Sequence, residues 1–214
     1  MAPTPALPAC QPAASCLDGG DWLHTAGVPA MGVDWGALEQ IRELTPWFAS
    51  NKGTFRQEIG AELAALQSIS PGDLDHLALL RVLEVTNGCA QWGFRRQDPD
   101  CLSADQARDC MRQVIGFIKA KRIVLPSGRT VGFSPAVEVL IESGRELYHK
   151  AFKRNQRGAQ RAYYAASTAQ FIAYGPDRLQ AALDVVNQEF EPLFTATWIA
   201  RGQRYIAPYL KALG

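Results

Sequence analysis

The chain has 214 residues, of which 47% are hydrophobic and 20% charged, and its formal net charge is +1. This is ordinary globular composition, enough to bury a real core, and it excludes an extended low-complexity chain. No apolar run approaches the roughly 18–20 residues of a membrane-spanning helix, so no membrane partner is expected.

Residues 1–33 are rich in Pro, Ala and Gly and lack a sustained apolar period, so they read as an extended or disordered leader. The leader has neither the charged n-region nor the apolar h-region of a signal peptide, which makes the cytoplasm the expected compartment; Met31 is an alternative start. Five cysteines (Cys10, Cys16, Cys89, Cys101 and Cys110), an odd number without an export signal, argue against a disulfide framework.

Residues 34–214 read as a single helical domain. A short helix is expected over 34–44, with Pro46 against its continuation. Thr54 and Gln57 have capping-box spacing, followed by Phe55, Ile59, Leu63 and Leu66 at helical period. The segment LDHLALLRVLEV, 74–85, is apolar nearly all round and reads as a central buried helix ended by Asn87-Gly88, with 88–102 as a loop. A second capping box, Ser103 and Gln106, opens a helix to about Lys119 with Ala107, Cys110, Val114 and Ile118 on its apolar stripe.

The β signal is confined to RIVLPSGRTVGF, 122–133, where two short β-branched runs flank Pro126-Ser127-Gly128 and predict a hairpin. Ser134-Pro135 has the form of an N-cap followed by proline, opening a helical pattern to about Tyr174. Gly175-Pro176 separates it from a helix over 177–191, and one or two short helices complete 193–213. The expected fold is therefore mainly α, a compact multi-helix domain with one short β-hairpin.

The charge is unevenly spread. Residues 1–110 hold 7 Lys/Arg against 14 Asp/Glu, and residues 111–214 hold 15 against 7. The densest part is YHKAFKRNQRGAQRAYY, 148–164, with Lys150, Lys153, Arg154, Arg157 and Arg161 and no acid. On a continuous helix Lys150, Arg154, Arg157 and Arg161 fall at i, i+4, i+7 and i+11, within a strip about 60° wide, and Tyr164 extends it. Asn155-Gln156 and Gly158 are the places where such a helix would break. Like charges at this spacing repel, and an anionic counterpart relieves the repulsion. Two counterparts remain open: a nucleic acid or other polyanion, and an acidic protein surface, the chain's own N-terminal half or a second copy included.

Lys121 and Arg122 precede the hairpin and Arg129 opens its second strand. The order of helix 103–119, basic hairpin with Gly128-Arg129 in the turn, and long helices resembles winged-helix DNA-binding proteins over about residues 103–133. The resemblance implies a helix in the major groove and a hairpin reaching the adjacent backbone. The phosphate-contacting candidates are thus Lys121, Arg122, Arg129, Lys150, Lys153, Arg154, Arg157 and Arg161, with Tyr164 as a stacking or donating ring.

Phosphate-cradling, nucleophile-elbow and zinc-protease motifs are absent from the sequence. With three histidines and no metal-ligand spacing, no cofactor and no metal are expected. A non-enzymatic binding protein is the leading expectation; an enzyme would instead show an ordered cleft gathering polar side chains.

Overall fold

The computed structural model describes residues 32–95, 102–191 and 193–214, with the backbone alone for 89–95. The expected leader up to residue 31, and the side chains of Cys10, Cys16, Cys89 and Cys101, lie outside the described residues. The fold is mainly α with one short hairpin. Its helices are α1 (Trp35–Glu39), α2 (Thr45–Ala65), α3 (Pro71–Arg95), α4 (Ala104–Ala120), α5 (Pro135–Tyr148), α6 (Arg157–Glu189) and α7 (Ala196–Leu213). Strands β1 (Arg122–Val124) and β2 (Thr130–Gly132) pair antiparallel between α4 and α5, with Ile123 opposite Val131. No helix among the described residues is long and apolar enough to cross a membrane.

Local chemistry sets most boundaries. Ser103 and Gln106 form the expected reciprocal box, with the Gln106 N–H donating to Ser103 Oγ and the Ser103 N–H to Gln106 Oε1. Ser134 Oγ accepts from the Val137 N–H at the start of α5. Pro46 opens α2, because a first-turn proline gives up an N–H that has no helical partner anyway. The expected Thr54 cap is replaced by Asn51, whose extended backbone interrupts α2 and whose Oδ1 accepts from the Thr54 N–H at 3.1 Å.

Two expected stops behave differently. Asn87-Gly88 does not end α3, which continues to Arg95 in place of the start of the 88–102 loop. Thr86 is buried against α7 so closely that a Cβ on Gly202 would sit 2.7 Å from Thr86 Oγ1. This tertiary contact outweighs the weak helix preference of Asn and Gly. Gly175-Pro176 does mark a break, but as a bend inside α6: Gly175 adopts φ 72°, which glycine tolerates, and the helix resumes beyond it.

One apolar cluster draws on all seven helices and the hairpin. Trp198, Tyr174, Phe171, Phe190 and Phe194 are almost wholly buried, and Phe171 stacks on Tyr209 with centroids 4.2 Å apart. The hairpin covers one side of this core through Ile123 and Leu125, and its turn is clipped to α6 where the Ser127 N–H donates to Glu189 Oε2. The Ser127 hydrogen bonds in turn hold the exposed Glu189 carboxyl below its ordinary value.

Candidate functional site

The segment 74–85 forms the expected central helix, yet it carries two charged groups inward. Arg81 keeps only 15% of its side chain exposed. Its Nη2 donates to Gln170 Oε1 at 3.0 Å, and Nη1 lies 3.5 Å from the Tyr163 hydroxyl and 3.6 Å from Glu84 Oε2. The guanidinium also lies over the Phe171 ring, 5.9 Å from its centroid. Burial disfavours its charge, but the surrounding Tyr163, Glu84 and Tyr174 outweigh burial and hold it above the ordinary arginine value. For Glu84, whose side chain stays 36% exposed, the order is reversed: partial burial pushes the carboxyl up, against the pull of Arg81 and Arg145. The Tyr174 hydroxyl donates to Gln170 Oε1, and burial pushes its phenol up.

This polar centre opens into a cleft of about 1420 Å³ between α3, α4, α5, α6 and α7. Leu77, Leu80 and Val85 continue its α3 side. Met111, Val114, Ile115 and Ile118 form a wall on α4, and Leu140 and Ile141 one on α5. Ile115 remains 40% exposed, although it stands on the apolar side of its helix. Tyr148, His149, Lys150, Lys153 and Arg154 line the cleft as well.

The acid-free stretch does not form one helix. α5 ends at Tyr148, a single π-turn spans His149–Lys153, and Asn155 takes a left-handed φ of 49° before α6 begins at Arg157. The strip expected on one helix face is therefore divided. Lys150, Lys153 and Arg154 project at the cleft; Arg157 and Arg161 turn towards α2. The Arg157 guanidinium lies 6.0 Å from the centroid of Trp47, and Arg161 Nη2 pairs with Glu58 Oε1 at 2.5 Å. Tyr164 is half-buried against Trp47, and burial pushes its phenol up. Lys121 pairs with Glu138, and Arg122 and Arg129 stay on the hairpin, away from the cleft lining.

Charge pairing separates these candidates further. Lys150 has a loose contact to Glu146 at 3.7 Å. Among the described residues no carboxylate lies within 4 Å of the cationic nitrogens of Lys153, Arg154 or Arg157. On α4, the helix compared with a groove-reading helix, Arg108 pairs with Asp105 and Arg112 with Asp109, so both of its arginines are answered on the same turn.

Aromatic rings join the corner to the polar centre. Tyr148, 47% exposed, and Phe152, 37% exposed, have centroids 5.0 Å apart. Both contact Tyr163, whose hydroxyl faces Arg81. Sequence reading missed Arg81, Glu84, Tyr163 and Gln170. The available signal was an Arg-x-x-Glu pair inside a segment whose other positions are almost all apolar, where a charge has no exposed face to occupy.

Among the described residues no group of three or more His, Cys, Asp or Glu is placed to hold a metal ion. Compared with known proteins, the chain matches no protein-family model, and neither a curated protein nor a solved structure shows significant similarity to it.

Proposed function

We propose that the protein binds a polyanion, single-stranded nucleic acid being the best-fitting class, at the corner formed by Tyr148, Lys150, Phe152, Lys153 and Arg154. One observation carries this reading: Lys153 and Arg154 are exposed without carboxylate partners beside two exposed aromatic rings. Cations neutralise phosphates and release condensed counterions, while a ring accepts any base on its face. The exposed rings are Tyr148 and Phe152, so the stacking role foreseen for Tyr164 passes to them. Lys121, Arg122 and Arg129 sit apart on the hairpin and are left to peripheral contacts.

The test is fluorescence anisotropy with labelled single-stranded DNA, RNA and duplex DNA. Three to five phosphate contacts on a single strand predict that affinity falls about 20- to 130-fold between roughly 50 and 200 mM salt. The double variant Lys153→Glu/Arg154→Glu abolishes binding, and single strands bind more tightly than duplex. Absence of binding at low salt overturns the reading and leaves an acidic protein surface as the partner class for the same corner.

A further inference from the structure

We propose that the cleft is a separate binding site for an amphipathic monocarboxylate, an alkyl acid whose carboxylate meets Arg81 and whose chain lies along the aliphatic walls of α4 and α5. This inference stands independently of polyanion binding at the outer corner.

The cleft has two chemically different sides. On the α3 and α6 side, Arg81, Tyr163, Ser167 and Gln170 gather polar groups. On the α4 and α5 side, Met111, Ile115, Ile118, Leu140 and Ile141 present aliphatic surface that the protein only partly covers. A chain of methylenes there removes apolar surface from water on both partners. A nucleic-acid strand gains little from such walls.

Arg81 suits a carboxylate. Gln170, Tyr163 and Phe171 fix its plane, yet a guanidinium has five N–H donors, and the bond to Gln170 is the single close contact at 3.0 Å. The facing contacts to Tyr163 and Glu84 are long, at 3.5 and 3.6 Å. An incoming carboxylate takes a charge-assisted pair in a mostly desolvated setting. Around the centre, the lining cations Arg42, Lys119, Arg145, Lys150, Lys153, Arg154 and Arg201 outnumber Glu43, Glu142 and Glu146, a field that favours an anion.

Size agrees. Small-ligand sites commonly measure about 300–1,000 Å³. At about 1420 Å³ the cleft has room for a long chain. Its α3 side, from Leu77 to Gly88, extends about 16 Å at 1.5 Å per residue.

Isothermal titration calorimetry of the full chain with decanoate, decan-1-ol and acetate tests the site. Decanoate binds saturably; decan-1-ol, with the same chain and no charge, binds about ten-fold or more weakly, and acetate gives no measurable heat. Ile115→Glu, at a wall position 40% exposed, weakens decanoate by about ten-fold or more. Arg81→Leu removes the preference for acid over alcohol. Should that variant fail to fold, the ligand comparison and Ile115→Glu decide alone. Lys153→Glu/Arg154→Glu, which abolishes polyanion binding, weakens decanoate by loss of lining charge but keeps saturable binding and the preference for acid over alcohol, both of which rest on Arg81 and the aliphatic walls. Equal binding of alcohol and acid, no binding of decanoate, or an Ile115→Glu variant that binds decanoate normally overturns the proposal.

Discussion

Arg161 on α6 donates to Glu58 on α2 across 103 positions of sequence, at 2.5 Å. A base from the positive half of the chain thus meets an acid from the negative half, and Arg178 repeats the pattern with Asp75 at 2.8 Å. Part of the charge asymmetry is consumed inside the fold. Both members of the Arg161–Glu58 pair are about a third exposed, so a double-mutant cycle on Arg161→Ala and Glu58→Ala should give a coupling of about 0.2–1 kcal/mol. Arg161→Ala alone costs more than Glu58→Ala, because the second Glu58 oxygen is buried without a hydrogen-bond partner. Polyanion affinity changes little in either variant, in contrast to Lys153→Glu/Arg154→Glu.

Gly202 should not accept a side chain. Its Cβ would meet Thr86 Oγ1 at 2.7 Å, and Thr86 is buried, so its hydroxyl has little room to turn aside. Gly202→Ala therefore destabilises by about 1–3 kcal/mol in urea unfolding. Thr86→Ala in the same chain recovers part of the loss, a non-additivity that equilibrium unfolding of the two single variants and the double variant would reveal.

Glu84 makes stability depend on pH in a defined direction. Its folded pKa lies above the unfolded value, so the native state binds the proton more tightly. The resulting stabilisation is full below the unfolded pKa and is lost as pH rises through the folded one. Glu84→Gln, which cannot ionise, should gain on the wild type as pH rises from about 4 to about 8. Melting temperatures of both proteins across that range measure it; a difference that shrinks with rising pH contradicts the burial argument.

Cys110 should be chemically quiet in the native state. Its thiol is 1% exposed, donates to the Leu193 carbonyl at 3.1 Å, and is pushed up to about 11 by burial and the neighbouring Asp109. The thiolate is the reactive form. Iodoacetamide at about pH 8, followed by peptide mass mapping, should leave Cys110 unmodified in the folded protein and alkylate it after denaturation.

Features written in neighbouring residues were legible from sequence. The Ser103–Gln106 box, the Ser134-Pro135 start and the hairpin around Gly128 need only a few consecutive positions to act. The central helix was also legible, but Arg81 was not: its partners Tyr163 and Gln170 lie 82 and 89 positions away, and no local pattern joins them. Asn87-Gly88 misled for a related reason, since the contact that keeps α3 helical comes from Gly202 on α7. The basic stretch is legible as unusual, with Asn155-Gln156 and Gly158 as its weak points; the chain breaks at Asn155, whereas Gly158 stays helical within α6. Which cations remain without carboxylate partners depended on the break and on the position of Glu58, and both are settled by packing.

The bend at Gly175 has a consequence for how the chain divides its labour. Unbent, the 33 residues of α6 would form a rod about 50 Å long, beside a domain of this size with a radius of gyration of about 16 Å. Such a rod would overshoot the body it supports. Bent, the same stretch of chain does two jobs at two angles: before the corner it presents Tyr163, Ser167 and Gln170 to the cleft, and after it Glu189 holds the hairpin turn. A single residue without a side chain thus lets one helix serve as both wall and buttress.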